Sequence, residues 1–99
     1  MNKQTLVTLI KTNENRIRAL GIAKLGLFGS FVRDDARETS DVDLLYRFKD
    51  DQLSLKNVMD LSRFLENLFQ RNVDLVAESA LTQGGVTPYI LVEVEYILN

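Results

Sequence analysis

Two apolar, strand-like segments are joined by a polar stretch too short for a full crossover helix, and this constrains the fold more than any other feature. Residues 23–30 (AKLGLFGS) are predicted to form a strand that runs into a Gly-Ser turn. Residues 41–48 (DVDLLYRF) alternate as in a strand with one buried face. Parallel neighbours need a crossover of about a dozen residues or more, whereas residues 33–40 are loop-like, with at most one helical turn. We therefore expect a mixed sheet.

Helical periodicity on both sides of these strands predicts an α/β fold, a small mixed β-sheet with helices packed on it. Residues 3–20 fit one amphipathic helix, or two short ones broken near residues 12 and 13, with Gly21 as the stop. Ser54 is a typical N-cap for a helix that runs to about residue 71. Residues 72–78 (NVDLVAE) are predicted to form another short strand.

The tail, residues 87–99 (TPYILVEVEYILN), fits two structures. Its Val-Glu-Val-Glu alternation is typical of a strand, but Thr87 and Pro88 form a helix start. Apolar residues at helical spacing favour the helix: Ile90, Leu91, Val94, Ile97 and Leu98. A second apolar line, formed by Tyr89, Val92 and Tyr96, would then need a partner, which favours a protein interface over deep burial.

Composition excludes several kinds of chemistry. The chain contains neither cysteine nor histidine, which excludes disulfides, typical zinc sites and Ser-His-Asp triads. A metal would need carboxylate and water ligands, which favours Mg²⁺, Mn²⁺ or Ca²⁺. The net charge of −2 argues against direct nucleic-acid binding. The first residues lack the apolar region and cleavage site of a signal peptide, and no apolar run approaches the ~20 residues of a membrane span, so we expect neither feature. We expect one cytoplasmic domain, residues 1–99.

Three aspartates stand where a carboxylate site could form. On a strand, residues i and i+2 face the same side, so Asp41 and Asp43 are predicted to point together. Asp74 is likewise a lone acid among apolar residues, on the next predicted strand. If these strands are neighbours, three carboxylates converge, which divalent cations would make tolerable. The plainer alternative is a set of solvated strand ends, with Asp74 serving as a cap or an arginine partner.

Gly29 and Ser30 suit the binding of a phosphate group. Glycine lets backbone N–H groups approach an anion closely, and the serine hydroxyl adds a donor. In isolation such a pair is most often an ordinary turn. Beside the aspartates, it indicates phosphoryl or nucleotidyl transfer.

The segment GSFVRDDARETSDVDLL (29–45) resembles the G-S-x10-D-x-D signature of the minimal nucleotidyltransferases (MNT proteins). These proteins are small members of the DNA polymerase β-like superfamily. The order of predicted elements is similar over nearly the whole chain, and this implies a polymerase β-like core. One departure lies after Arg33, where the family usually has glycine and this chain has Asp34 and Asp35.

The resemblance implies a role for each matched residue. It implies that the nucleotide phosphates are bound by Gly29, Ser30 and Arg33. It implies that the catalytic carboxylates, which hold two Mg²⁺ ions, are Asp41, Asp43 and Asp74. Asp74 would share one ion and help activate the acceptor hydroxyl.

The resemblance also implies an activity and a partner. It implies a Mg²⁺-dependent transfer of a nucleotide, AMP from ATP, to a hydroxyl group. MNT proteins are often antitoxins paired with an HEPN-domain ribonuclease, and some modify that toxin, typically at a tyrosine. An HEPN-type toxin in a hetero-oligomer is thus the expected partner. The main alternative is a non-catalytic antitoxin that inhibits by occlusion, its acidic edge pairing with basic groups on the ribonuclease. A third, an accessory fragment of a larger transferase, lacks a basic groove to support it.

Overall fold

The computed structural model describes residues 1–82 and 93–99. Helices and short helical turns alternate with four strands along the chain. The elements are, in order, α1 (Lys3–Thr12), α2 (Glu14–Ala19), β1 (Ile22–Phe28), α3 (Ser30–Arg33), β2 (Val42–Phe48), α4 (Leu55–Phe69), β3 (Val73–Ala77), α5 (Glu78–Thr82) and β4 (Glu95–Leu98). Within these described ranges, no helix is both long enough and apolar enough to cross a bilayer.

The strands form one mixed sheet in the order β3-β2-β1-β4. β1 pairs antiparallel with β2 on one side and with β4 on the other. β2 pairs parallel with β3, and α4 supplies the helical crossover that a parallel pair requires. The mixed sheet predicted from the short link between the first two strands is therefore confirmed.

Side-chain caps and a glycine set the helix boundaries. The N-terminal region forms two helices, and α1 is capped by Asn2, whose side chain accepts a hydrogen bond of 2.8 Å from the backbone N–H three residues later. The break falls at Asn13, as predicted. Gly21 follows α2 with φ +108°, in the left-handed region that favours glycine. Ser54 caps α4 as predicted, accepting a hydrogen bond of 3.1 Å from the Asn57 N–H.

The two faces of the sheet differ in how they are covered. The main core joins the helices to one face, where its buried residues include Leu6, Ile10, Ile17, Leu25, Leu27, Val42, Leu44, Leu61, Leu65, Phe69 and Leu98. On the other face, a smaller cluster consists of Phe28 and Leu45 with Val76, Val94 and Tyr96 packed against them. Because neighbouring strand residues alternate, Asp43 lies on the face of the smaller cluster, opposite Val42 and Leu44.

The helix predicted for the tail is wrong at residues 95–98, which form the edge strand β4. Pairing with β1 satisfies backbone groups that would otherwise lie open at the sheet edge, and Leu98 enters the main core at 2 % exposure. Tyr96 packs against the smaller cluster, so it does not belong to an exposed helical line. The rest of the predicted helix and interface, residues 87–92, lies outside the described residues.

Candidate active site

The antiparallel pairing of β1 with β2 brings the Gly-Ser turn against a predicted site aspartate. Phe28, the last residue of β1, is the register partner of Asp43, so Gly29 follows directly beside it. Gly29 has φ +81°, and a Cβ at this position would overlap the Asp43 carboxylate, with the Asp43 Cγ only 2.9 Å away. Both the backbone conformation and this close approach therefore require glycine.

The parallel pairing of β2 with β3 brings in the second aspartate. Asp43 and Asp74 are direct register partners on adjacent strands. Both project from the face opposite the main core, because Val73 and Val42, which precede them, are buried in that core. Asp74 is the more exposed of the two, since it lies on the edge strand β3.

The environment of Asp43 disfavours its charged form. Burial, followed by the charge and hydrogen bond of Asp74 and the charge of Asp41, raises the pKa of Asp43 from 3.8 to about 6. The guanidinium of Arg33 acts in the opposite direction, but more weakly. The Asp43–Asp74 pair therefore either keeps a proton or, when both carboxylates are ionised, needs a cation beside it.

Asp41 lies near the Asp43–Asp74 pair but does not form a three-carboxylate cluster with it. It lies just before β2 and is exposed, although its charge reaches Asp43. In the two described ranges, no three Asp or Glu side chains lie close enough together to hold a metal ion. The donor chemistry nevertheless fits an oxygen-preferring cation, since every group here is a carboxylate. A third protein ligand would require the exposed Asp41 side chain to move.

The residues after Gly29 form a single helical turn, α3. Ser30 begins it and is half-buried, and Arg33 ends it on the surface. Arg33 Nε contacts Asp35 Oδ2 at 3.4 Å. Asp34 adopts φ +62°, the left-handed conformation that glycine would take most easily. Both Asp34 and Asp35 are exposed, so the departure from the family pattern is accommodated by the loop.

Sequence reasoning missed Glu93, which contacts two of the predicted phosphate-binding residues. The Gly29 N–H donates a hydrogen bond of 2.8 Å to Glu93 Oε1. Arg33 Nη1 lies 3.1 Å from the same oxygen and 3.2 Å from Oε2. The hydrogen bond from Arg33 to Glu93, followed by the one to Asp35, raises the pKa of Arg33. No local pattern singles out Glu93, because its contact with Gly29 depends on the pairing of β4 with β1.

A family model described as "Nucleotidyltransferase domain" matches residues 9–97. This chain belongs to the nucleotidyltransferase family. The match covers β1, β2 and β3 and extends into β4, so it includes every element that contributes to the candidate site. The enzyme class predicted from the sequence, a nucleotidyltransferase, is confirmed, as is the polymerase β-like fold.

Individual relatives of this nucleotidyltransferase agree with the family assignment. It is 35% identical over 95 residues to the protein adenylyltransferase MntA of Thermococcus cleftensis, covering 95% of this chain and 94% of the relative. A solved minimal nucleotidyltransferase structure superposes with a TM-score of 0.75 at 30% identity, covering 96% and 95% of the two chains. A chain in the complex of a tri-AMPylated Shewanella oneidensis HEPN toxin with MNT antitoxin has a TM-score of 0.55 at 20% identity, with coverage of 90% and 71%. This last likeness concerns the fold alone.

Proposed function

We propose that this nucleotidyltransferase is a Mg²⁺-dependent adenylyltransferase that transfers AMP from ATP to a hydroxyl of an HEPN-type toxin, and so acts as its antitoxin. The observation that carries the proposal is the contact between Gly29 and the Asp43 carboxylate, with Asp74 as the register partner of Asp43. It puts the Gly-Ser turn directly against a carboxylate pair. The relative named protein adenylyltransferase MntA and the AMPylated HEPN toxin bound to its MNT antitoxin support the reaction and the partner.

The nucleotide site assigns a role to each group around the turn. The Gly29 N–H, the Ser30 hydroxyl and the Arg33 guanidinium bind the triphosphate. Two Mg²⁺ ions would be held by Asp41, Asp43 and Asp74, and when bound they neutralise charge on both the carboxylates and the phosphates. One domain, residues 1–99, carries this chemistry in the cytoplasm, in a hetero-oligomer with the toxin.

Transfer requires an acceptor hydroxyl that can reach the edge of the sheet. Asp74 is exposed on the edge strand β3, so a side chain of the partner can approach it from solvent. Asp74 accepts the proton of this hydroxyl as the acceptor oxygen bonds to the α-phosphorus. The bond from that phosphorus to the leaving pyrophosphate breaks, and the products are AMP-toxin and pyrophosphate.

Label transfer tests the reaction. ATP labelled at the α-phosphate is incubated with Mg²⁺, the protein and an HEPN-domain toxin. We expect the variant Asp43→Asn plus Asp74→Asn to lose transfer by roughly 100-fold or more, the scale of losing a preorganised electrostatic contact. Asp50→Asn is the matched control, because Asp50 is exposed beyond the opposite end of β2. Transfer that survives in the double variant would overturn the mechanism.

Inhibition by occlusion is the second candidate. Asp34 and Asp35 form an exposed acidic loop next to the site, suited to a basic surface on a ribonuclease. The two functions separate in a toxin-neutralisation assay with the same double variant. An adenylyltransferase loses neutralisation together with label transfer, whereas an occluding antitoxin continues to neutralise.

A further inference from the structure

The Glu93 carboxylate contacts two of the groups that we propose bind the nucleotide phosphates. Its Oε1 accepts the Gly29 N–H at 2.8 Å, and both of its oxygens lie within 3.2 Å of Arg33 Nη1. The Glu93 side chain is only 17% exposed, whereas that of Arg33 is 48% exposed. A carboxylate of the protein itself, that of Glu93, therefore already occupies the turn.

The fold itself delivers Glu93 to this position. β4 runs antiparallel beside β1, and its first residue, Glu95, is the register partner of Leu27. The chain just before β4 therefore lies next to the chain just after β1, where the turn begins. Val94 packs against the smaller cluster with Phe28, which fixes the segment between the strand and Glu93. The position of Glu93 at the turn is thus a consequence of strand pairing.

A carboxylate and a phosphate would bind the same groups of this turn. Each accepts hydrogen bonds from the Gly29 N–H and from the Arg33 guanidinium, and a backbone amide has a single hydrogen to donate. A phosphate oxygen on the Gly29 N–H would also lie close to the negative charge of Glu93, and two like charges at that range repel. Glu93 and the nucleotide are therefore mutually exclusive ligands of the Gly29 N–H.

We propose that Glu93 is an internal competitor of the nucleotide, which must leave the Gly29 N–H and Arg33 before the triphosphate binds there. The proposal rests on the function given above, in which this turn holds the phosphates. It makes Glu93 a residue that sets nucleotide affinity, because only the fraction of molecules with Glu93 displaced can bind.

Two charge-neutral variants test the competition. Glu93→Gln keeps the length of the side chain and removes its charge. Glu95→Gln removes the same charge two residues along, where Glu95 is exposed and pairs with Lys3 at 2.5 Å. Binding of Mg²⁺-ATP, and separately of inorganic tripolyphosphate, is measured by calorimetry. We expect Glu93→Gln to bind both ligands about tenfold more tightly than the wild-type protein, and Glu95→Gln to bind them with unchanged affinity.

A second variant protects the test against loss of folding. Glu93→Asp keeps the charge but is one methylene shorter, so it withdraws from the Gly29 N–H, and we expect a smaller gain in affinity. Equal affinity in the wild-type protein and both Glu93 variants would overturn the competition. Weaker binding by both variants would also overturn it, and would make Glu93 a residue that holds the turn in its binding conformation.

The tripolyphosphate measurement separates this inference from the proposed function. Tripolyphosphate has no α-phosphoryl nucleotide to transfer, so its binding reports on the turn alone. A tenfold gain without any label transfer to toxin would uphold the competition and overturn the adenylyltransferase. Normal label transfer, with affinities that the Glu93 substitutions leave unchanged, would uphold the adenylyltransferase and overturn the competition.

Discussion

Among the individual residues, Asp43 has an electrostatic environment that works against folding. It is half-buried, faces Asp74 across the parallel pair, and lies against Gly29. Its pKa is raised to about 6, so at neutral pH the folded state holds a charge that the unfolded chain would accommodate more easily. Sites that bind a charged ligand often tolerate such a cost in the free protein.

Replacing Asp43 by Asn should stabilise the free protein in a pH-dependent way. Because the folded pKa exceeds the unfolded one, the cost of ionised Asp43 is fully present above about pH 6 and disappears as the pH falls below about 4. After discounting for solvent screening, we expect a gain of about 1 kcal/mol at pH 7 and none at pH 4. Urea unfolding in EDTA at both pH values measures it. A gain of equal size at both would contradict the electrostatic cause.

Among the elements, those with strong local patterns were predictable from the sequence. Short apolar segments located β1 and β3, alternation located β2, and a cap with a helical stripe located α4. The single-turn helices α3 and α5 were not predicted, since so short a helix depends on its surroundings more than on its own residues. β4 was missed because its sequence fits both periodicities, and the choice is made by a distant partner, β1.

The residues of the candidate site also differ in whether a local pattern or a distant strand pairing places them. Asp43 and Asp74 could be proposed as a pair from the sequence on the condition that their strands are neighbours, because each follows an apolar residue at the start of a predicted strand. Glu93 could not, since its place beside Gly29 exists only once β4 is paired with β1. Contacts that depend on a pairing far along the chain leave no local periodicity to detect.

The contribution of β4 can be measured at Leu98. Leu98 is 2% exposed and packs in the main core, so Leu98→Ala should lower the free energy of unfolding by about 2–3 kcal/mol. Leu53→Ala is the matched control, because Leu53 is 66% exposed and its truncation should change the value by less than about 0.5 kcal/mol. Urea titration compares the two. Equal, small effects would show that β4 adds little to the fold.

For the molecule as a whole, the sheet keeps its structural and chemical surfaces apart. The helical core covers one face, while the aspartates project from the other, beside the smaller cluster. β1 leads into a candidate-site residue, β2 and β3 each carry one, and the segment before β4 adds Glu93. A ligand that bridges these strands therefore stabilises the folded state as a unit.

Magnesium should consequently raise the melting temperature. At ten times its Kd, Mg²⁺ would stabilise the fold by about 1.4 kcal/mol. That corresponds to about 5–10 °C for a domain of this size. Thermal unfolding followed by circular dichroism measures the shift, with KCl at matched ionic strength as the reference. The variant Asp43→Asn plus Asp74→Asn should lose the shift, and an undiminished shift would place the ion elsewhere.

The antiparallel register of β1 and β2 has a consequence for how such sites can diverge. Residues 28 and 43 face each other however long the chain between them is. Insertions or deletions in that link leave the geometry unaltered, whereas a slip of one position inside β2 would turn Asp43 into the hydrophobic interior. Motif spacing can thus drift over evolutionary time while the chemistry persists, and distant homologues will be recognised by which strand positions lie opposite each other rather than by counting intervening letters.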